Sequence, residues 1–163
     1  MGHACKHRGP EQEGFYVDNY VSFGCERLKI QDLSEIAKQP VHNEDKTIWV
    51  VLNGEIYNFK RLRVELEKNH KFYTESDTET IVHAYEEFGE DCIHKLDGMF
   101  AFAIWDSVKR KIFIARDRLG VKPLFYSMVN DRFLFASELK SLLQCDEIKR
   151  EINNEALSQF ITY

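Results

Sequence analysis

The sequence predicts an α+β fold in which helices pack on mainly antiparallel sheets. Three observations carry that expectation. Strand-like segments open and close the chain, and two helical segments lie between them. The strand connections include two hairpin signals, Asp18-Asn19 and Asn130-Asp131, where parallel strands would need long crossovers. Finally, Thr47–Leu52 (TIWVVL) is apolar at nearly every position, as in a strand covered on both faces.

The elements follow in order. Gly14–Val17 and Tyr20–Phe23 are short β-rich runs joined by Asp18-Asn19, two residues that tolerate positive φ. Leu28 and Ile30 alternate with Lys29 and Gln31, which predicts a short half-buried strand. A polar loop runs through Gln39-Pro40 to the strong strand. Asn58 stands where it would cap a helix with Phe59, Leu62 and Leu66 on one stripe. Ser76-Asp77-Thr78-Glu79 has capping-box spacing: the Ser76 hydroxyl accepts from the Glu79 amide, and Glu79 reaches back. Ile81, Val82, Tyr85 and Phe88 recur at helical spacing, and Gly89 suits the C-terminal cap. Met99–Trp105 (MFAFAIW) sets small residues between aromatics, with Phe100 and Phe102 on one face. Ile112–Ala115 follows a turn over Ser107–Lys111. Leu124–Met128 and Phe133–Ala136 flank Asn130-Asp131, and Ser137 is placed to cap a last short helix through Leu143.

Composition narrows the function classes. A chain of 163 residues with 44% apolar and 30% charged residues can bury an ordinary core. The 12 Phe, 7 Tyr and 2 Trp are too many for a disordered chain. No run approaches the length of a membrane span, and the opening residues, with Lys6 and Arg8, contain no apolar stretch of a signal peptide. The net charge of −5 is spread along the chain without a basic stripe, so neither nucleic acid nor membrane is an expected partner. Cys5, Cys25, Cys92 and Cys145 are far apart, and no CxxC pair suggests a zinc ribbon. Such spacing fits free thiols in a reducing cytoplasm, the expected location.

Three segments could carry chemistry: His7-Arg8-Gly9-Pro10, Asn53–Asn58 and Arg116–Leu124. Asn53-Gly54 after an apolar strand reads as a turn. It reads equally as a side-chain amide beside a free backbone N–H, the donors an oxyanion hole needs. Arg27 beside Glu26 is either a bidentate clamp for a carboxylate or a surface ion pair. Asp77, in the first turn of a capped helix, either binds an amine or complements the helix dipole. The histidines offer no catalytic partner, His83 reads as structural, and no His pair has helical metal spacing, so no metal site is expected. For Cys92 and Cys145 packing is the default role.

HRGP, CERLKIQDLS, NGEIYN, SDTE, GMFAFAIWD and RDRLGVKPLFY occur in one order with ordinary spacing. Together they resemble the glutaminase domain of glutamine-dependent asparagine synthetases, a class II glutamine amidotransferase of the N-terminal-nucleophile type. The likeness runs from His7 to about Leu143. It implies a four-layer αββα sandwich. It implies that Arg27 pairs with the α-carboxylate of L-glutamine, with Leu28 and Ile30 on that wall. It further implies that Asn53 and Gly54 form the oxyanion hole, and that Glu55 and Asp77 hold the α-amino group.

The same resemblance implies what is not in these residues. The family nucleophile is an N-terminal cysteine whose own α-amine is the base, and it opens a strand and helix that lead to HRGP. Here position 2 is Gly2, Cys5 stands where that leading helix would end, and Cys25 stands where family members often carry His. The expected fold therefore lacks its first strand and helix, which would leave a sheet edge exposed and favour oligomers such as a homodimer. Residues 1–150 are expected to form the glutaminase domain and 151–163 to begin a linker into a synthetase domain. ATP and magnesium would belong to that further domain, so no cofactor is expected in this one. The expected activity of these residues alone is glutamine binding without hydrolysis. Two alternatives stay open: a non-catalytic docking module, and a glutaminase domain serving a different acceptor.

Overall fold

The computed structural model describes residues 1–162. A 3₁₀ turn over Gly2–Arg8 precedes the hairpin β1 (Gln12–Val17) and β2 (Ser22–Arg27). The short β3 (Val41–His42) and the long β4 (Ile48–Ile56) follow, then α1 (Phe59–Leu66) and α2 (Asp77–Phe88). Next come β5 (Gly98–Asp106), β6 (Lys111–Arg116) and the hairpin β7 (Phe125–Val129) and β8 (Arg132–Ala136). Helices α3 (Leu139–Leu142) and α4 (Asn154–Thr162) end the chain. Among the described residues every strand pairing is antiparallel, and the central sheet has the order β3-β4-β5-β6.

The central sheet separates two apolar cores because side chains alternate along its strands. Val50, Leu52, Phe100, Phe102 and Ile104 face α1 and α2, where Leu62, Leu66, Ile81 and Tyr85 meet them. Trp49, Val51, Ala103 and Trp105 face the other way, onto Val21 and Phe23 of the first hairpin and Phe135 of β8. The expected coverage of the central strand on both faces is therefore present. The layers run from α1–α2 through the central sheet to the two hairpins. The Gly2–Arg8 turn and α3 contact each other, the turn resting on β2 and α3 on β7 and β8.

Several expected details change. Tyr20 lies outside the strands, and β2 runs from Ser22 to Arg27. The segment with Leu28 and Ile30 is coil, because the ladder ends where Gln12 meets Arg27. Asn53 and Gly54 form no turn: they continue β4 opposite Ala101 and Phe100. Asn58 precedes α1 but spends its side chain on the Lys95 carbonyl and the Asp97 amide. Ser137 does not cap α3, which begins after Glu138. The capping box holds on one side only. Ser76 accepts from the Glu79 amide, while Glu79 turns to the amides of Tyr73 and Thr74 and the Thr74 hydroxyl. Gly89 caps α2 at φ 58°, and Asn130 and Asp131 turn the last hairpin with positive φ.

One carboxylate fastens the first hairpin to the central sheet. Asp18 accepts from the amides of Tyr20 and Val21, from the Tyr16 hydroxyl and from Trp105 Nε1 at 2.7–2.9 Å. Burial opposes its charge, but these four donors outweigh it and hold the pKa below the ordinary 3.8. Its stabilising effect is thus complete above pH 3.8 and lost as pH falls through the lower folded value. Asp18→Ala should cost about 2 kcal/mol at pH 7 in urea melts, since hydrogen bonds to charged groups contribute ~1.5–3 kcal/mol. The gap to the parent protein should narrow in melts below pH 3.8; a gap independent of pH would contradict the assignment.

Candidate active site

A cavity of about 600 Å³ lies between the hairpin-facing side of β4–β5, strands β2 and β8, and the Gly2–Arg8 turn. Val51, Asn53, Ala101 and Ala103 belong to its lining and are cross-strand neighbours. The small residues of MFAFAIW explain the space. The phenylalanines fill the helix-side core, and the alanines between them leave volume on the opposite face.

Arg27 closes β2 and lines this cavity, yet is only 7% exposed. Its Nη1 donates to Gln12 Oε1 at 2.9 Å, and its Nη2 to the carbonyls of Gln31 and Asp32 at 2.7 and 2.6 Å. These acceptors orient the guanidinium and leave two of its five N–H groups unused. Among the described residues no carboxylate forms an ion pair with it, so the surface-pair reading is excluded. An unpaired buried charge is costly, and an anion bound beside it would offset that cost.

Asn53, Gly54 and Glu55 line the same cavity. Asn53 Nδ2 donates to Ser137 Oγ at 3.0 Å, which fixes the side-chain amide. Gly54 has φ +152°, and a Cβ there would lie 2.1 Å from the Met99 carbonyl oxygen, so this point of the β4–β5 ladder admits only glycine. Leu28 and Ile30 also line the cavity, from the coil after β2. Asp77 is not in that wall. It is buried behind β4 at the start of α2, where Oδ2 accepts the Ile56 amide at 2.8 Å. Burial pushes its carboxyl above the ordinary range, a rise that the Ile56 amide opposes and the charge of Glu55 supports.

The structure brings further residues to the cavity whose place there sequence patterns did not show. Gln12 shares β1 with no motif, yet it orients Arg27 across the ladder. Ser137 and Ser141 line the cavity from the segment around α3. Glu26 Oε1 is buried there without a hydrogen-bond partner. Two cysteines reach the cavity. Burial pushes the Cys25 thiol up to about 12, and the thiol donates weakly to Gln39 Oε1. Cys5 Sγ lies 2.8 Å from Ser141 Oγ.

The motifs have local physical roles. A Cβ at Gly9 of HRGP would lie 2.3 Å from the Glu26 carbonyl oxygen, so glycine lets the first segment rest against the strand that ends in Arg27. Asp117 of RDRLG accepts from the amides of Phe100, Val121 and Lys122 and folds that loop onto β5.

A model of the glutamine amidotransferase domain matches residues 1–163. The chain belongs to this family. Asparagine synthetase [glutamine-hydrolyzing] 1 of Bacillus subtilis strain 168 is 44% identical over 100% of the amidotransferase domain and 26% of its own length. Asparagine synthetase [glutamine-hydrolyzing] 2 of the same organism is 48% identical over 97% of the domain and 21% of its own length. The domain thus spans about a quarter of the curated relatives it matches. Among solved structures, the glutamine phosphoribosylpyrophosphate amidotransferase from B. subtilis, complexed with ADP and GMP, superposes with TM-score 0.63 at 24% identity. That match covers 74% of the domain and 28% of the other chain, and it supports the expected α+β fold.

Gly54→Ala should disrupt the domain, because strained backbone and the clash with Met99 act together. A loss of about 3 kcal/mol or more in denaturant melts is expected. An unchanged midpoint would show that β4 and β5 approach less closely.

Proposed function

We propose that this domain binds L-glutamine in the cavity as the glutaminase part of a glutamine-hydrolysing asparagine synthetase. The observation that carries the reading is Arg27, a buried guanidinium without a counter-ion, in one cavity with Asn53, Gly54 and Glu55. A zwitterionic amino acid needs a cation for its carboxylate and an anion for its ammonium, and Arg27 and Glu55 supply them. Leu28 and Ile30 form the apolar wall. Asp77 acts from behind, through the Ile56 amide, on the end of β4 that presents Glu55. The Gly54 N–H and the anchored Asn53 amide are the donors for the oxyanion that forms when a side-chain amide is attacked. In the whole synthetase, a further domain carrying the ATP and magnesium chemistry would use the released ammonia. The similar asparagine synthetases of Bacillus subtilis favour asparagine over another product. Helix α4 packs no residue into the core and exposes Phe160 and Ile161, in keeping with a link to that domain. The four free thiols suit a reducing cytoplasm, and no described helix is long and apolar enough to cross a membrane.

The described residues favour binding without hydrolysis. Cys25 is held as a thiol by burial.

L-Glutamine should raise the unfolding free energy by about 2.7 kcal/mol at a hundredfold excess over its dissociation constant. Arg27→Ala should remove that effect in thermal-shift titrations while still melting cooperatively. No shift at any L-glutamine concentration in the parent domain would refute the pocket. Ammonia release that disappears in Cys5→Ala would instead refute the non-hydrolytic reading.

A further inference from the structure

Away from the cavity, Glu44, His70, His83 and Glu86 bring four donor atoms within 4.8 Å of one another. They come from three segments: the loop between β3 and β4, the segment after α1, and the middle of α2. His83 Nδ1 lies 2.7 Å from Glu86 Oε2 and 3.8 Å from Glu44 Oε2. His70 Nδ1 lies 3.3 Å from the same Glu86 oxygen and 4.0 Å from Glu44 Oε1. Ligands held tetrahedrally at ~2.0–2.1 Å stand roughly 3.3 Å apart, inside this spread. We propose that these four side chains bind a divalent transition-metal ion of the zinc class.

The surroundings of the two rings support this. His70 Nε2 is 2.9 Å from Glu87 Oε1, and His83 Nε2 faces Glu79 Oε1 at 3.6 Å. His70 thus directs Nε2 to an outer carboxylate and Nδ1 to the common point, whereas His83 Nδ1 meets Glu86 at that point and its Nε2 is buried without a hydrogen-bond partner. A carboxylate behind a histidine places the proton on that nitrogen and leaves the other free to ligate. The inner carboxylates are held as well: Asn43 Nδ2 donates to Glu86 Oε1 at 2.8 Å, and the Lys71 amide to Glu44 Oε1 at 2.7 Å. With both rings neutral, Glu44, Glu79, Glu86 and Glu87 surround the point with negative charge.

Two nitrogens and two carboxylates suit zinc better than magnesium or calcium, which prefer oxygen alone. Four protein ligands complete a tetrahedron, so the ion's role is structural. It would clip the β3–β4 loop and the segment after α1 to α2. Spacing along the chain could not show this, since His70 and His83 lie on different segments.

The test uses the untagged, chelator-treated chain. Calorimetric titration with ZnCl₂ should give one saturable site, CoCl₂ should give visible d–d absorption, and MgCl₂ should give neither. Zinc should also raise the melting temperature. His70→Gln, at the rim, should keep the fold and lose saturable zinc binding, whereas the fully buried His83 is a poorer choice for substitution. Glu87→Gln should weaken zinc binding by about 10–100-fold through loss of the outer carboxylate. His3→Gln, in a separate cluster with Glu13 and Glu26, should change nothing. The proposal fails if the parent chain shows no saturable site. It also fails if His70→Gln binds zinc as before, or if His3→Gln abolishes binding.

Discussion

A buried guanidinium without a counter-ion organises this domain. Taking a charge out of water costs several kcal/mol even after the protein relaxes. Arg27 is tolerable because Gln12 and the carbonyls of Gln31 and Asp32 accept its N–H groups. Those acceptors come from β1 and from the coil after β2, so the charge sets the end of one hairpin and the path of the following loop. Gly9 lets the first segment close over the same strand. The groups that accept from Arg27 are neutral, an amide side chain and two carbonyls, and no carboxylate forms an ion pair with it among the described residues.

The space for a ligand comes from the alternation in β5. A strand between two layers must supply both of them, and its faces need not carry equal volume. Phe100, Phe102 and Ile104 crowd the helix side, so the large core under α1 and α2 is complete without help from the other face. Ala101 and Ala103 then cost little stability and open the cavity. Trp105, two residues farther on, restores the contact with the hairpin and donates to Asp18. One strand thus makes the core, the floor of the site and the anchor of the layer above it.

Much of this was legible in the chain. The Asn130-Asp131 hairpin, the Ser76 cap, the Gly89 stop and the aromatic–alanine alternation are local signals, and each appears as read, whereas the first hairpin turns over four residues, Asp18 to Val21, instead of the expected two. Arg27, Asn53, Gly54 and Glu55 line one cavity, whereas Asp77 of the same implied set lies outside its wall. What failed to show was non-local. Asn-Gly is a turn dipeptide by propensity, yet nine residues of ladder with β5 hold it extended. Leu28 and Ile30 alternate like a strand but lie beyond the paired residues of β2. Asn58 and Ser137 stand at helix starts, but their side chains meet stronger partners across the fold. No pattern around Gln12 announces its contact, because that contact is made by register.

Helix α2 runs from the end of β4 to the cluster of His70 and His83. Its first residue, Asp77, holds the Ile56 amide and so fixes the end of β4 beyond Asn53, Gly54 and Glu55. Six residues on, about 9 Å along the axis at 1.5 Å per residue, His83 faces the cluster with Glu44 and His70. Glu79, between them, satisfies the amides of Tyr73 and Thr74 and also faces His83. A displacement of α2 along its axis would therefore disturb both the strand end and the cluster. A cation at the cluster would tie α2 to two neighbouring segments on one side, while Ile81 and Tyr85 already tie it to the sheet on the other. The position of Asp77 would then be held by packing and charge together. That follows from helix rigidity alone and requires no movement within the cavity.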